Sequence, residues 1–228
     1  MQFTEVMKKL ESLSDNRSVN GMRKFGINTE RAYGISKTRL RAIAREIGKD
    51  HFLAQKLWAS AIHEAQILAS MIDDPRSVTE EQMEKWVSCF DSWDLCDQCC
   101  ANLFDRTTFA YECATAWSHR REEFVKRAGF ALMAVLAVHD KKANNEQFKK
   151  FLHMIAEEAS DDRNFVKKAM NWALRQIGER NFILNREAIT TANAILETDS
   201  KNARWVASDA LRELTSDRIQ QRIGAKKY

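Results

Sequence analysis

The sequence predicts an all-α protein built as a solenoid of paired helices, and three observations carry that expectation. The 228 residues contain one proline, Pro75, and seven glycines. That is too few for a turn-rich strand fold, while the good helix formers Ala, Leu, Lys, Arg and Glu are abundant. Apolar residues recur at helical spacing from end to end, with only short breaks. Finally, Phe124-Val125-Lys126-Arg127-Ala128 recurs as Phe165-Val166-Lys167-Lys168-Ala169, 41 residues later, and a weaker echo starts at Trp205-Val206, another 40 on. A period near 40 with two helices per unit is the signature of a HEAT-like array, an α-α superhelix. In such an array the second helices of successive pairs stack side by side along one concave wall.

About 12 helices are expected, all within a single domain spanning residues 1–228. In order they cover residues 2–13, 37–48, 51–60, 62–72, 79–89, 93–105, 108–116, 121–138, 144–158, 162–179, 183–197 and 202–215. The breaks between them hold Asn, Asp, Ser or Gly, the residues of caps and turns, and Asp74-Pro75 is the clearest. Residues 14–35, with Gly21, Gly26 and Gly34, are the least regular part and read either as a loop or as a short interrupted helix. The longest apolar run, residues 128–138, is too short to span a bilayer and reads as a helix buried on nearly all sides.

The N-terminus shows no secretory signal pattern. Five cysteines, an odd number, read as reduced thiols of a cytoplasmic protein. The net charge of +4 is unevenly spread. Residues 1–49 carry 11 Lys/Arg against 5 Asp/Glu, residues 50–119 carry 4 against 12, and residues 120–228 carry 21 against 15. Two basic ends flanking an acidic middle suit a basic cleft that holds a polyanion while the middle supplies carboxylates. Ordinary variation in surface charge would produce the same pattern.

Two helices hold the residues with chemical interest. On residues 165–177, Phe165, Val166, Ala169, Met170, Ala173, Leu174 and Ile177 form one apolar face. Lys167, Lys168, Asn171 and Arg175 form the opposite face, and Trp172 falls at the border. A lone tryptophan is ordinarily a core residue, but the basic neighbours of Trp172 at i−4 and i+3 favour an exposed aromatic among cations. On residues 93–104, Leu95, Cys96, Cys99 and Leu103 define the apolar stripe, with Asp94, Asp97, Gln98 and Ala101 on the other side. Trp93 sits at the border, with Asp97 one turn along the same edge. A solvated surface acid is the commoner fate of such an aspartate.

Cys96-x-x-Cys99-Cys100 has no second pair at zinc-finger spacing and lies on or beside the apolar stripe, so the thiols read as small buried hydrophobes. None of His51, His63, His119, His139 and His153 has metal-ligand spacing. The sequence contains no phosphate loop, dinucleotide fingerprint or nucleophile elbow. No metal and no cofactor is expected.

At these residues the sequence resembles the AlkD-like DNA alkylation repair glycosylases, which are HEAT-like solenoids. The resemblance runs through most of the chain and is strongest from about residue 60 to 180. The family's Trp-Asp-x-x-Asp segment stands as Trp93-Asp94-Leu95-Cys96-Asp97, preceded by Ser92 where some members carry another tryptophan. Its arginine near the start of a later concave helix matches Arg127, and its second tryptophan matches Trp172. The N-terminal aromatic that lines the family's cleft has no clear equivalent; Gly21 stands near the position, and Phe25 and Tyr33 are candidates.

The resemblance implies excision of cationic N3- or N7-alkylated purines, such as 3-methyladenine and 7-methylguanine, from double-stranded DNA in base excision repair, without flipping the base into a deep pocket. Asp97 would stabilise the oxocarbenium-like sugar and position water, Trp93 and Trp172 would contact the lesion nucleotide, and Arg127 would hold a backbone phosphate. Lys126, Lys167, Lys168 and Arg175 are the expected further contacts to DNA. The protein is expected to act as a monomer and not at a membrane. The alternative is a non-catalytic HEAT-like scaffold that binds DNA or protein, which has no reason to keep Trp93, Asp97, Arg127 and Trp172 together. An RNA-binding helical repeat would show a base-reading pair of side chains in each unit, and none is seen.

Overall fold

The computed structural model describes residues 1–224. Among these residues there are fourteen α-helices, one 3-10 turn and no strand. The helices are α1 (Phe3–Ser12), α2 (Asn16–Arg23), α3 (Lys37–Ile47), α4 (His51–Ala59), α5 (His63–Ile72), α6 (Glu80–Val87), α7 (Trp93–Asn102), α8 (Ala110–Ser118), α9 (Glu123–His139), α10 (Asn145–Glu158), α11 (Asn164–Gly178), α12 (Phe182–Leu196), α13 (Lys201–Leu214) and α14 (Asp217–Gly224). The 3-10 turn Phe104–Arg106 follows α7. All twelve expected helices are present, and α2 and α14 are additional. The irregular segment therefore contains a short helix, which buries none of its residues and so leaves no apolar stripe to read. None of the described helices is long and apolar enough to cross a membrane.

Polar caps punctuate the chain where the breaks were expected. Ser36, Asp50, Thr79, Asn144, Asn181 and Ser200 each accept a hydrogen bond from a backbone N–H in the following first turn. Asp50 does so from Leu53 at 2.9 Å and Asn181 from Leu184 at 3.0 Å.

The helices group into two compact units, the first Met1–Thr108 and the second beginning at Phe109. In the first, α5 is central and packs against α3, α4 and α7. Its core holds Leu10, Leu40, Leu57, Leu68 and Met83, with Trp58 and Trp86 stacked at 3.9 Å between ring centroids. In the second unit α9, α11 and α13 form one layer, with α11 between its two neighbours, and α8, α10 and α12 form the layer behind. This pairing of helices in two layers is the HEAT-like arrangement. Residues 128–137 of α9 are all buried, as the apolar run predicts. Gly129 lets α8 approach closely, since a Cβ there would come within 2.5 Å of the Ser118 backbone nitrogen.

Candidate nucleic-acid interface

The first unit carries Trp93 and Asp97 on α7. Both are half-buried, and one helical turn separates them, so the shared ridge expected from the spacing is present. The Trp93 indole is held in place from outside its own helix. Its Nε1 donates to the carbonyl oxygen of Phe25 at 3.0 Å, and Lys37 Nζ lies over the ring, 5.6 Å from its centroid.

The segment between α2 and α3 brings Phe25 and Lys37 to that position. Glu64, buried on α5, organises it by accepting hydrogen bonds from the backbone N–H groups of Tyr33 at 2.7 Å, Gly34 at 2.6 Å and Ile35 at 3.2 Å. Gly34 has φ +77°, and a Cβ there would collide with the Asp15 carbonyl oxygen, so the turn requires glycine. Phe25 is left 71% exposed beside Arg23 and Lys24, both also exposed. Of the two candidate N-terminal aromatics, Phe25 is the exposed one and Tyr33 is half-buried. The only local signal is an aromatic following two basic residues.

Asp94 departs from expectation. Placed on the polar side of α7 by the helical wheel, it is 3% exposed, and its Oδ2 lies 3.0 Å from Nε2 of His63. Burial alone would lower the His63 pKa, but the hydrogen bond and charge of Asp94 outweigh it, so the imidazole is held above its ordinary value of 6.5. Burial would likewise raise the Asp94 pKa, and the His63 hydrogen bond and charge, with that of Lys37, hold it below 3.8. A pocket of about 250 Å³ is lined by Met22, Ile35, Lys37, His63 and Asp94 among others. Cys96, Cys99 and Cys100 are fully buried, and burial pushes the thiols of Cys99 and Cys100 well up.

In the second unit Arg127 is 6% exposed, and its Nη1 donates to the Phe165 carbonyl oxygen at 2.6 Å. This bond runs from α9 to the first turn of α11. Trp172 is half-buried, at the border as expected. The polar face of α11 is a seam to α13. Asn171 is buried and donates to the Val206 carbonyl oxygen at 3.0 Å, Lys167 reaches Asn202 at 3.2 Å, and Arg175 pairs with Glu213. Lys168 alone of that face is exposed. Lys126, expected to contact DNA, is instead 7% exposed, with its ammonium 2.5 Å from Glu158 and 3.0 Å from Asp161. A helix in the middle of an array has neighbours on two flanks, so the polar stripe of its wheel is used for packing. The wheel reads polarity and cannot say whether water or another helix meets it.

The fold and these residues define a HEAT-like repeat protein with a half-exposed tryptophan one turn before an aspartate in one unit and a buried arginine beside a half-exposed tryptophan's helix in the other. Residues 6–214 match the model of the DNA alkylation repair enzyme family, and the chain belongs to that family. Among solved structures it is similar to a member of a family related to the HEAT-like repeat DNA glycosylases and described as having affinity for branched DNA structures. That likeness has a TM-score of 0.83 at 22% identity, over 98% of this chain and 97% of that one. A designed armadillo repeat protein in complex with a (KR)4 peptide matches at a TM-score of 0.35 and 16% identity, over 83% of this chain and 80% of that one. Comparison with curated proteins gave no match.

Proposed function

We propose that the protein is a DNA glycosylase that hydrolyses the N-glycosyl bond of cationic N3- and N7-alkylated purines in duplex DNA, acting as a cytoplasmic monomer. The observation that carries this reading is the pair Trp93 and Asp97, half-exposed on one ridge of α7 in a member of the DNA alkylation repair enzyme family.

An alkylated purine of this kind leaves as a neutral molecule, so its departure needs no strong acid. The chemical requirement is to stabilise positive charge developing on the deoxyribose as the C1′–N bond breaks. The Asp97 carboxylate supplies that electrostatically and orients the water whose oxygen bonds to C1′. The attacking water gives up its proton to solvent or to Asp97. The negative face of Trp93 contacts the electron-poor nucleotide, and Trp172 on α11 presents a second aromatic face to the DNA. Arg127, buried on α9 and bonded to the Phe165 carbonyl oxygen, is the residue assigned to a backbone phosphate. Lys168, exposed on α11, adds a phosphate contact. Lys167 and Arg175 take part with their present partners retained. The His63–Asp94 pair is buried and supports α7 from behind.

A second reading, binding to branched DNA without excision, is favoured by the described affinity of the structural relative. Incubation with methylated duplex DNA and chromatography of the released bases separates the two. Free 7-methylguanine and 3-methyladenine support the glycosylase. Tight binding to a four-way junction with no base release supports the second reading and rejects the first.

A further inference from the structure

The echo near 40 residues has a consequence in the second unit that the proposed excision chemistry does not use. It relates Phe124 and Phe165, each the second residue of its helix, to Trp205, which is the fifth residue of α13 and so lies about one turn in from its N-terminal end. The three ends lie along one edge of the layer. Phe124 and Phe165 approach to 5.6 Å between ring centroids, and Arg163 at the start of α11 donates to the Arg121 carbonyl oxygen before α9 at 2.6 Å. Lys167 Nζ sits over the Trp205 ring, 5.5 Å from its centroid. The first two aromatics are half-buried, whereas Trp205 is 41% exposed.

The surroundings of Trp205 are basic. Lys168, Lys201 and Arg204 are exposed. Of the carboxylates nearby, Asp161 is paired with Arg163 and Lys126, Glu122 with Arg120, and Asp209, one turn after Trp205, with Arg212, while Glu123, Asp162 and Asp199 stand at or just before the starts of α9, α11 and α13. A large exposed aromatic with a lysine on one side of its ring and exposed cations around it suits a base stacked on the ring, with flanking phosphates on the cations. An intact duplex keeps its bases stacked on one another and offers only its backbone. The ring therefore selects for unpaired nucleotides.

We propose that Trp205, with Lys167, Lys168, Lys201 and Arg204, is a stacking platform for an unpaired DNA strand; Trp205, Lys201 and Arg204 have no part in the excision reading, while Lys167 and Lys168 hold backbone in both. The inference rests on the protein binding DNA but not on its cleaving the glycosyl bond. The test compares, by fluorescence anisotropy, a blunt duplex with the same duplex carrying a six-nucleotide single-stranded extension. The wild-type protein binds the extended form more tightly. W205A loses about five- to tenfold on the extended form and little on the blunt duplex, W205F keeps most of the preference, and base release by W205A is unchanged. A complementary measurement needs no variant: 5-bromouracil in the extension, irradiated in complex with the wild-type protein, crosslinks to the peptide containing Trp205. Equal affinity of the wild-type protein for both DNAs, an equal loss by W205A on both, or crosslinking elsewhere overturns the proposal. Absence of base release, with the extension preference and crosslink intact, overturns only the glycosylase reading.

Discussion

Nε2 of His63 lies 3.0 Å from Oδ2 of Asp94, so a buried ion pair joins the first turn of α5 to the first turn of α7. Asp94 directly follows Trp93, and the pair thereby sets where the α7 ridge that carries Trp93 and Asp97 begins. Two buried charges are costly to separate and leave a strongly disfavoured orphan when one is removed. The pair therefore supports the orientation of the ridge.

Stability should depend on pH through this pair. The His63 pKa is raised above 6.5, so its contribution is full below 6.5 and is lost as pH rises through the higher folded-state value. The Asp94 pKa is lowered below 3.8, so its contribution is present above 3.8 and is lost as pH falls through the lower folded-state value. The excess stability of wild type over D94N should peak between about 4 and 6.5 and shrink towards pH 9. Urea unfolding of both proteins across that range measures it. A pH-independent difference would show that the pair is not charged in the folded state.

D97N keeps the shape of Asp97 and removes its charge. Base release from methylated duplex DNA should fall at least about tenfold, corresponding to more than ~1.4 kcal/mol of transition-state stabilisation. DNA affinity should remain close to wild type. Single-turnover kinetics checks the first expectation and anisotropy the second; an unchanged rate would remove Asp97 from the chemistry.

Two basic positions, Lys126 on α9 and Lys168 on α11, should behave differently. K168A, at an exposed site, should weaken DNA binding whatever the sequence and lower the slope of log affinity against log salt by about one. K126A should act mainly on stability, because it strips Glu158 and Asp161 of their shared ammonium. With Glu158 partly open to solvent, a loss of about 1–3 kcal/mol is expected. Salt titrations of binding and denaturant unfolding of both variants distinguish the roles. A K126A protein of normal stability and a K168A protein of normal affinity would reverse the assignment.

Substrate charge should decide which lesions are released. 7-Methylguanine and 3-methyladenine carry the positive charge that aromatic faces and a carboxylate recognise, whereas uracil and hypoxanthine are neutral and poorer leaving groups. W172A should lower the rate on the cationic lesions and gain nothing on the neutral ones. Chromatography of bases freed from duplexes carrying each lesion is the measurement, and efficient uracil release would contradict the mechanism.

Much of the fold is legible in the sequence because it is local. Helices depend on spacing along the chain, and caps such as Asp50 and Asn181 act within three residues. The helical repeat is readable because Phe124 and Phe165 sit in echoing segments, and the Trp93–Asp97 ridge because i and i+4 share a helix face. None of this required knowing what stands beside a helix.

Tertiary structure alone decides which polar side chains meet solvent. Asp94 and Asn171 have the wheel positions of surface residues, yet His63 lies 31 residues from the one and Val206 lies 35 from the other. Lys126 finds its carboxylates 32 and 35 residues away. Phe25 reaches Trp93 across 68 residues, by a turn that depends on Glu64 and Gly34. Helical periodicity reports the pattern on one cylinder. The partner of each face is set by how neighbouring helices pack, and that information is distributed along the chain at separations no local pattern spans.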